Sequence, residues 1–516
     1  MIDSIHSKLF TGRFHFHKRI TKPLGIVLKQ SLANAIITYT GIALGFVLTV
    51  LLYPHILNPD QYGLTRVLIS ASFISSQFAH LGVRNSIIKF FPFFKKVSGK
   101  DHGMMFWILL IPLIGFLLFS LLFWVFQGIL VEYYIEQSPL FVEYYLWILP
   151  ITLFLLYFEV FNSYLRSLRD STSGSLVNEV LQRIFIILFL ALYSFGVIDF
   201  FTFILLFALS YAAQPLILIT QIYRLGELRL TPNFSILRKP LVKGISNYGL
   251  YSLLGGLTTI LVWNIDIMML GSMAGLADTA VYAIAFYIAS VITVPQRSIE
   301  KIAAPLVSEY IENNNWDQVD QIYKKTSLNQ ALTGLLVFGL IWLNADILFW
   351  ILPDEYAAGL WVILIIGIGK LIDLIAGLNG TILVNSKHYR VTFYTNLFLA
   401  AVTIAANYIL IPVYGINGAA LATTFSIFFY NAVKHFYVWW KLNTQPLTGK
   451  TGIVLLLGTI GILLPEWLIH FEMMIPELAV KSILFLLIFL LPVLYFELSK
   501  DFNTMIKQLL HKTGLI

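Results

Sequence analysis

Cysteine is absent from all 516 residues, which excludes disulfides, thiol catalysis and cysteine-based metal sites. Charge is scarce as well: Asp, Glu, Lys and Arg make up 12% of the chain against 58% hydrophobic residues, and the mean hydropathy is +0.81. A soluble globular domain does not have that balance. Strand-type alternation is missing, which excludes a transmembrane barrel. A phosphate-binding loop is missing too. The stretch "TGKTG" carries Gly449, Lys450 and Thr451, but the position five before Gly449, where a P-loop needs glycine, is Thr444. No ATPase module and no catalytic residue is expected. His15 and His17 form a His-x-His without a third ligand nearby, so no metal site is expected either.

What the chain does have is long apolar runs. About 20 helical residues cross the roughly 30 Å of bilayer hydrocarbon. Runs of that size fall at about 31–53, 64–82, 104–126, 141–163, 176–195, 200–223, 245–270, 279–296, 329–352, 357–382, 392–412, 416–438, 451–470 and 478–496, which makes fourteen. The fold class expected is an all-α integral membrane protein. Charge then sorts the connections. Lys22, Lys29, Arg84, Lys89, Arg166, Arg224, Lys243, Lys387, Arg390 and Lys441 fall in alternate loops, while the others carry acidic residues such as Asp60, Glu132, Asp199, Asp278, Asp346 and Glu472 without Lys or Arg. By the positive-inside rule both termini are cytoplasmic and the number of spans is even. The net charge of +7 is therefore a topology signal, and nucleic acid is not a partner.

A repeat underlies the pattern. Arg84 in "RNSIIKFFP" pairs with Arg297 in "RSIEKIAAP", Asn162 with Asn379, and Gly196 with Gly415, in the same order and at offsets of 213 to 219 residues. The expected organisation is a cytoplasmic tail (1–30), an N-lobe of six spans (31–223), a cytoplasmic linker (224–244), a C-lobe of six spans (245–440), two further spans (451–496) and a cytoplasmic C-terminal tail (497–516). Pseudo-symmetric lobes of this kind place a substrate site at their interface near mid-membrane.

The segment "LNPDQYGLTRVLISASF" resembles the L-x-P-x-x-Y-G turn of polysaccharide-unit flippases in the multidrug/oligosaccharidyl-lipid/polysaccharide (MOP) exporter superfamily. The stretch "NIDIMMLGSMAGLADTAVYAIAF", with Asp266, Gly271 and Tyr282, resembles the second-lobe counterpart, and the likeness runs over most of residues 25–440. It implies a V of two six-helix bundles that turns over a polyprenyl-pyrophosphate-linked oligosaccharide, an O-antigen or capsule repeat unit, from the cytoplasmic to the outer leaflet of a bacterial inner membrane by alternating access. Lipid-linked oligosaccharide, membrane lipids and glycan polymerase or glycosyltransferase proteins are the partners implied. No cofactor is expected beyond a coupling H⁺ or Na⁺. A lipid II flippase and a drug/cation antiporter of the same superfamily are alternatives, as is a membrane-embedded glycan polymerase or ligase. The short outer loops without Lys or Arg count against the polymerase, and the lack of an arginine cluster in the first span counts against lipid II.

A cavity for such cargo needs cations, amides and hydroxyls. The second span offers Ser75 and Gln77, the seventh Asn247 and Tyr251, and the eighth Gln296; Arg84 and Arg297 stand at matching mouth positions where a pyrophosphate is collected. Ser and Thr in a membrane helix also serve close helix packing. Lys370 and Asp373 lie three apart in "IGIGKLIDLIAG", on one helix face. Two readings are open: the pair neutralises itself in a packed interior, or Lys370 meets substrate phosphate while Asp373, with Asp266, takes a proton or Na⁺. Arg66 is expected to snorkel to the interface, and Glu179 to pair with Arg183 one turn on.

Overall fold

The computed structural model describes residues 21–98, 103–231, 234 and 239–512; His15 and His17 lie outside them. Every regular element in these residues is a helix. The first half holds α1 (Thr21–Phe46), α2 (Pro59–Ala79), α3 (Val83–Ser98), α4 (Met104–Tyr134), α5 (Ile148–Ser167), α6 (Gln182–Ser194) and α7 (Phe200–Arg224). The second half holds α8 (Lys239–Met273), α9 (Leu276–Ser290), α10 (Val294–Glu312), α11 (Trp316–Leu343), α12 (Leu360–Ala376), α13 (Asn379–Asn385) and α14 (Tyr389–Leu442), followed by α15 (Gly449–Leu468) and α16 (Met474–Tyr495). Eleven helices are long and apolar enough to cross a membrane. The fourteen crossings expected from the sequence are reached only if α2 and α8 also cross and the two arms of α14 cross separately.

The halves repeat one helix order. A break divides α2 from α3 at Gly82, and α9 from α10 at the turn Val291–Thr293. The α6–α7 turn is made at Gly196 (φ 70°), and α14 is interrupted at Gly415 (φ 55°). Both glycines adopt the left-handed backbone that side chains disfavour, which gives the repeated glycine a reason.

The helices start where the local chemistry ends a turn. Asn58 caps α2, accepting from the Gln61 amide at 2.8 Å while Gln61 reaches back, with Pro59 in the first turn. Asp170 caps the helix that begins at Thr172, accepting from the amides of Thr172 (3.2 Å) and Ser173 (3.1 Å). Burial pushes its carboxyl up, but the bonds from Ser173 and Thr172 outweigh that and hold it below the usual carboxylate range. A depressed pKa stabilises the fold above the unfolded value and loses that contribution as pH falls through the folded one. Asp170→Ala is therefore expected to cost about 0.5–2 kcal/mol at neutral pH, with the gap from wild type closing below about pH 4. Thermal melting of both proteins across that range checks it, and a pH-independent gap would contradict it.

One apolar core joins the halves at the end that carries the acidic loops, with Tyr62 and Leu64 of α2, Leu270 of α8 and Leu276 and Tyr282 of α9 all buried in it. At the basic-loop end the buried clusters are distinct, with Phe91, Phe161 and Leu218 in the first half and Val307, Tyr323 and Ile382 in the second, while Leu241, Ile245 and Tyr248 of α8 pack against the first. The seam between halves is α2, which packs along both α8 and α9. Helices α15 and α16 form a hairpin against α11, away from that seam.

Candidate functional site

A cavity of about 530 Å³ opens within the second half, lined from α10, α12, α13 and α14. Its floor is positioned by glycine. A side chain at Gly367 or Gly369 would run into Phe338 or Thr424, so α12 approaches its neighbours closely and turns Lys370 and Asp373 inward. Lys370 is 2% exposed, with Nζ 4.8 Å from the Phe286 ring centre. Asp373, Asp266 and Arg297 all act on it electrostatically. Asp373 Oδ1 accepts from Asn431 Nδ2 at 2.9 Å, and Asn431 Oδ1 accepts from Asn379 Nδ2 at 2.9 Å. A second buried lysine, Lys434, stands 3.8 Å over the Tyr430 ring and donates to its hydroxyl, which in turn donates to Asn396 Oδ1 at 2.8 Å. On the α10 wall, Gln296 Nε2 donates to Glu300 Oε1 at 2.9 Å.

Behind this wall lies Asp266. Its carboxylate accepts from Tyr282 (2.9 Å), Asn407 (2.6 Å) and Thr423, and Thr423 also lines the cavity. Asn407 Oδ1 is buried without a hydrogen-bond partner. Carboxylate, amide and hydroxyl oxygens in this cluster are the donor set that hard cations use. No group of three or more His, Cys, Asp or Glu side chains able to hold a metal ion is found among the described residues.

A smaller cavity of about 270 Å³ lies between the halves, lined by Phe73, Ser76, Gln77, His80, Arg84, Glu159 and Asn264 among others. Gln77 reaches it because Gly256 of α8 has no side chain; a Cβ there would meet Gln77 Nε2. Arg84 Nε pairs with Glu159 Oε2 at 3.1 Å.

The residues singled out in the sequence therefore separate. Lys370, Asp373 and Gln296 share the large cavity, Asp266 stands behind it, and Gln77 and Arg84 share the small one. Ser75 is buried and does not line either cavity. Asn247, Tyr251 and Arg297 are exposed, Tyr251 at 72%. Arg66 corrects an expectation: instead of snorkelling it is held inside, 5.0 Å from the Tyr62 ring centre and 5.5 Å from that of Tyr53, donating to Thr49 and the Tyr62 hydroxyl. Two π-faces and two hydroxyls hold the cation in place of water, although its Nε is buried without a hydrogen-bond partner. Glu179 and Arg183 do pair, at 3.2 Å. Sequence reading passed over Lys434, although a lysine within an apolar run was the signal that found Lys370.

The model of the family described as polysaccharide biosynthesis protein matches residues 27–311, and one described as MatE matches residues 252–409. The fold is similar to that of the lipid II flippase MurJ in an inward closed conformation, with a TM-score of 0.68 and 15% identity over 90% of this chain and 99% of that one. It is also similar to an inward-facing multidrug resistance MATE family transporter of the MOP superfamily, with a TM-score of 0.60 and 16% identity over 80% of this chain and 94% of that one. The Vibrio cholerae MATE transporter VcmN in the bent form aligns with a TM-score of 0.50 and 14% identity over 81% of this chain and 98% of that one. No curated protein sequence matches significantly. At such identities the structural likeness speaks to the fold.

Proposed function

From the premise that the chain belongs to the polysaccharide biosynthesis protein family, a multi-pass membrane protein with the MOP transporter fold, we propose that it is a flippase for a polyprenyl-pyrophosphate-linked oligosaccharide. The carrying observation is the cavity of about 530 Å³: two buried lysines, two carboxylates and five carboxamides set on membrane-spanning helices and the short helix α13 between two of them. A charge at mid-membrane costs about 2.5–3.5 kcal/mol even on insertion scales, so Lys370 and Asp373, set within an apolar helix and facing a cavity, are kept for a hydrated, polar cargo. The lipid tail stays in the bilayer while the head crosses. Residues 31–223 and 245–440 work as two lobes about the linker 224–244, alternately opening toward the basic-loop end, which faces the cytoplasm of a bacterial inner-membrane cell, and the acidic-loop end. Gln77 and Arg84 face the head from the N-lobe, and Lys370 and Gln296 from the C-lobe. Asn247, Tyr251 and Arg297 meet it at the open mouth. Ser75 comes into play only where α2 parts from α8 and α9. Glycan polymerase or glycosyltransferase proteins supply or remove the cargo.

Lipid II is a second reading, favoured by the similarity to MurJ over 90% of this chain. The coupling ion, H⁺ or Na⁺, binds at Asp266, whose cage connects to the cavity through Thr423, with Asp373 as the second acid. In liposomes an imposed H⁺ or Na⁺ gradient is expected to speed wild-type transport, whereas Asp266→Asn runs at one rate with and without it. An Asp266→Asn protein that still responds to the gradient would remove Asp266 from the coupling.

A further inference from the structure

We propose that the large C-lobe cavity is a subsite for uncharged, hydroxyl- and acetamido-bearing sugars, and that the pyrophosphate of the cargo stays outside it; this rests on the flippase reading and narrows its substrate class. The charged groups lining the cavity are Lys370, Lys434, Asp373 and Glu300, two of each sign. Neither lysine presents a bare ammonium: Lys370 lies against the Phe286 ring, and Lys434 lies over the Tyr430 ring and donates to its hydroxyl. Asp373 acts electrostatically on both. The rest of the polar wall is the carboxamides of Gln296, Asn379, Asn385, Asn396 and Asn431 and the hydroxyls of Thr381, Thr423 and Tyr430, groups that likewise donate and accept.

A carboxamide both donates and accepts, as do a sugar hydroxyl and an acetamido group, whereas phosphate and carboxylate only accept. A carboxylate of a uronic acid placed about 4 Å from Asp373 would meet a repulsion of about 4 kcal/mol at an effective dielectric of 20, set against the attraction of the two lysines, so it gains no net electrostatic advantage from a wall with two charges of each sign. It would also set its oxygens against the amide oxygens, the buried one of Asn379 among them, and a buried acceptor left unpaired costs about 1–3 kcal/mol. A neutral sugar meets neither penalty. Sites built to hydrogen-bond a hydroxyl discriminate strongly for that reason. The cations suited to the pyrophosphate lie elsewhere: Arg297 and Lys301 are exposed on α10, the helix whose Gln296, Glu300 and Ala304 line the cavity. Lys370 then faces a glycan oxygen, not phosphate.

The test uses the full-length protein in nanodiscs, titrated by saturation-transfer NMR with chitobiose, a neutral acetamido disaccharide, and with digalacturonate. Chitobiose is expected to bind at least tenfold more tightly. Asn396→Ala and the rim variant Asn385→Ala, checked for unchanged melting temperature, are each expected to weaken it at least fivefold. Digalacturonate binding as well as chitobiose, or no binding of either, overturns the proposal. Lipid-linked forms of the two saccharides in liposomes separate the two levels. Faster movement of the neutral form supports the subsite, equal or faster movement of the uronate form overturns it while the flippase reading stands, and movement of neither overturns the flippase reading itself.

Discussion

Lys370→Ala is expected to abolish transport, and Lys370→Arg to retain part of it. The ammonium is 2% exposed and sits within electrostatic reach of Asp373 and Asp266. Removing it leaves the buried Asp266 and the half-buried Asp373 short of a counter-charge, and deleting one partner of a fully buried pair costs about 3–5 kcal/mol. Loss of transport alone would therefore not separate a cargo contact from a structural pair. The double variant Lys370→Met with Asp373→Asn does. It removes the nearer of the two uncompensated charges and leaves Asp266 to its three hydrogen bonds, so melting temperature should return part of the way toward wild type while transport stays absent. Recovery of both would assign Lys370 and Asp373 to mutual neutralisation and would take Lys370 out of the cargo site.

The second large effect is expected at Gly63→Val. Gly63 is the glycine of the L-x-P-x-x-Y-G turn, and a Cβ there would stand 1.9 Å from the backbone oxygen of Leu276 at the start of α9. Backbone oxygen cannot step aside as a side chain can. The substitution forces α2 off α9 in the apolar core that joins the lobes, at a cost of about 1–3 kcal/mol or more by comparison with overpacked cores. Transport should fall with it, because the acidic-loop end can no longer close. Gly128→Ala in α4, where nothing lies within 4 Å of the added carbon, serves as the control and should be neutral or slightly stabilising. Equal melting temperatures for Gly63→Val and wild type would show that the contact between α2 and α9 is not a tight seam.

The structure explains the turn motif in a way that spacing alone does not. Pro59 and Asn58 start α2, while Gly63 serves a contact with a helix more than two hundred residues away in the chain. The fold was readable because composition, apolar run length and loop charge are properties each segment carries by itself. Lys370, Asp373 and Asp266 were readable for the same reason, since a charge inside an apolar run is conspicuous without knowledge of its neighbours. The facing of α2 was not. Its serines and threonines are largely satisfied by backbone carbonyls, Thr65 by Tyr62, Ser76 by Phe73 and Ser72 by Ile148. Small polar residues thus serve both a wet wall and a close helix seam, and only the position of α8 and α9 tells them apart. Arg66 failed for a related reason: its partners, Thr49, Tyr53 and Tyr62, come from both sides of the turn that precedes it. Lys434 was masked by the basic residues that follow it toward the end of α14.

The central claim is that the cargo is a saccharide carried on a lipid pyrophosphate. Purified protein in liposomes, loaded with a polyprenyl-pyrophosphate oligosaccharide on the outer leaflet and in parallel with a cationic dye, tests it most directly. The expected result is protein-dependent protection of the saccharide lipid from an external sugar-modifying enzyme, with the dye unmoved and the protection lost in Lys370→Ala. Movement of the dye, with the saccharide lipid still fully open to the enzyme, would contradict the account.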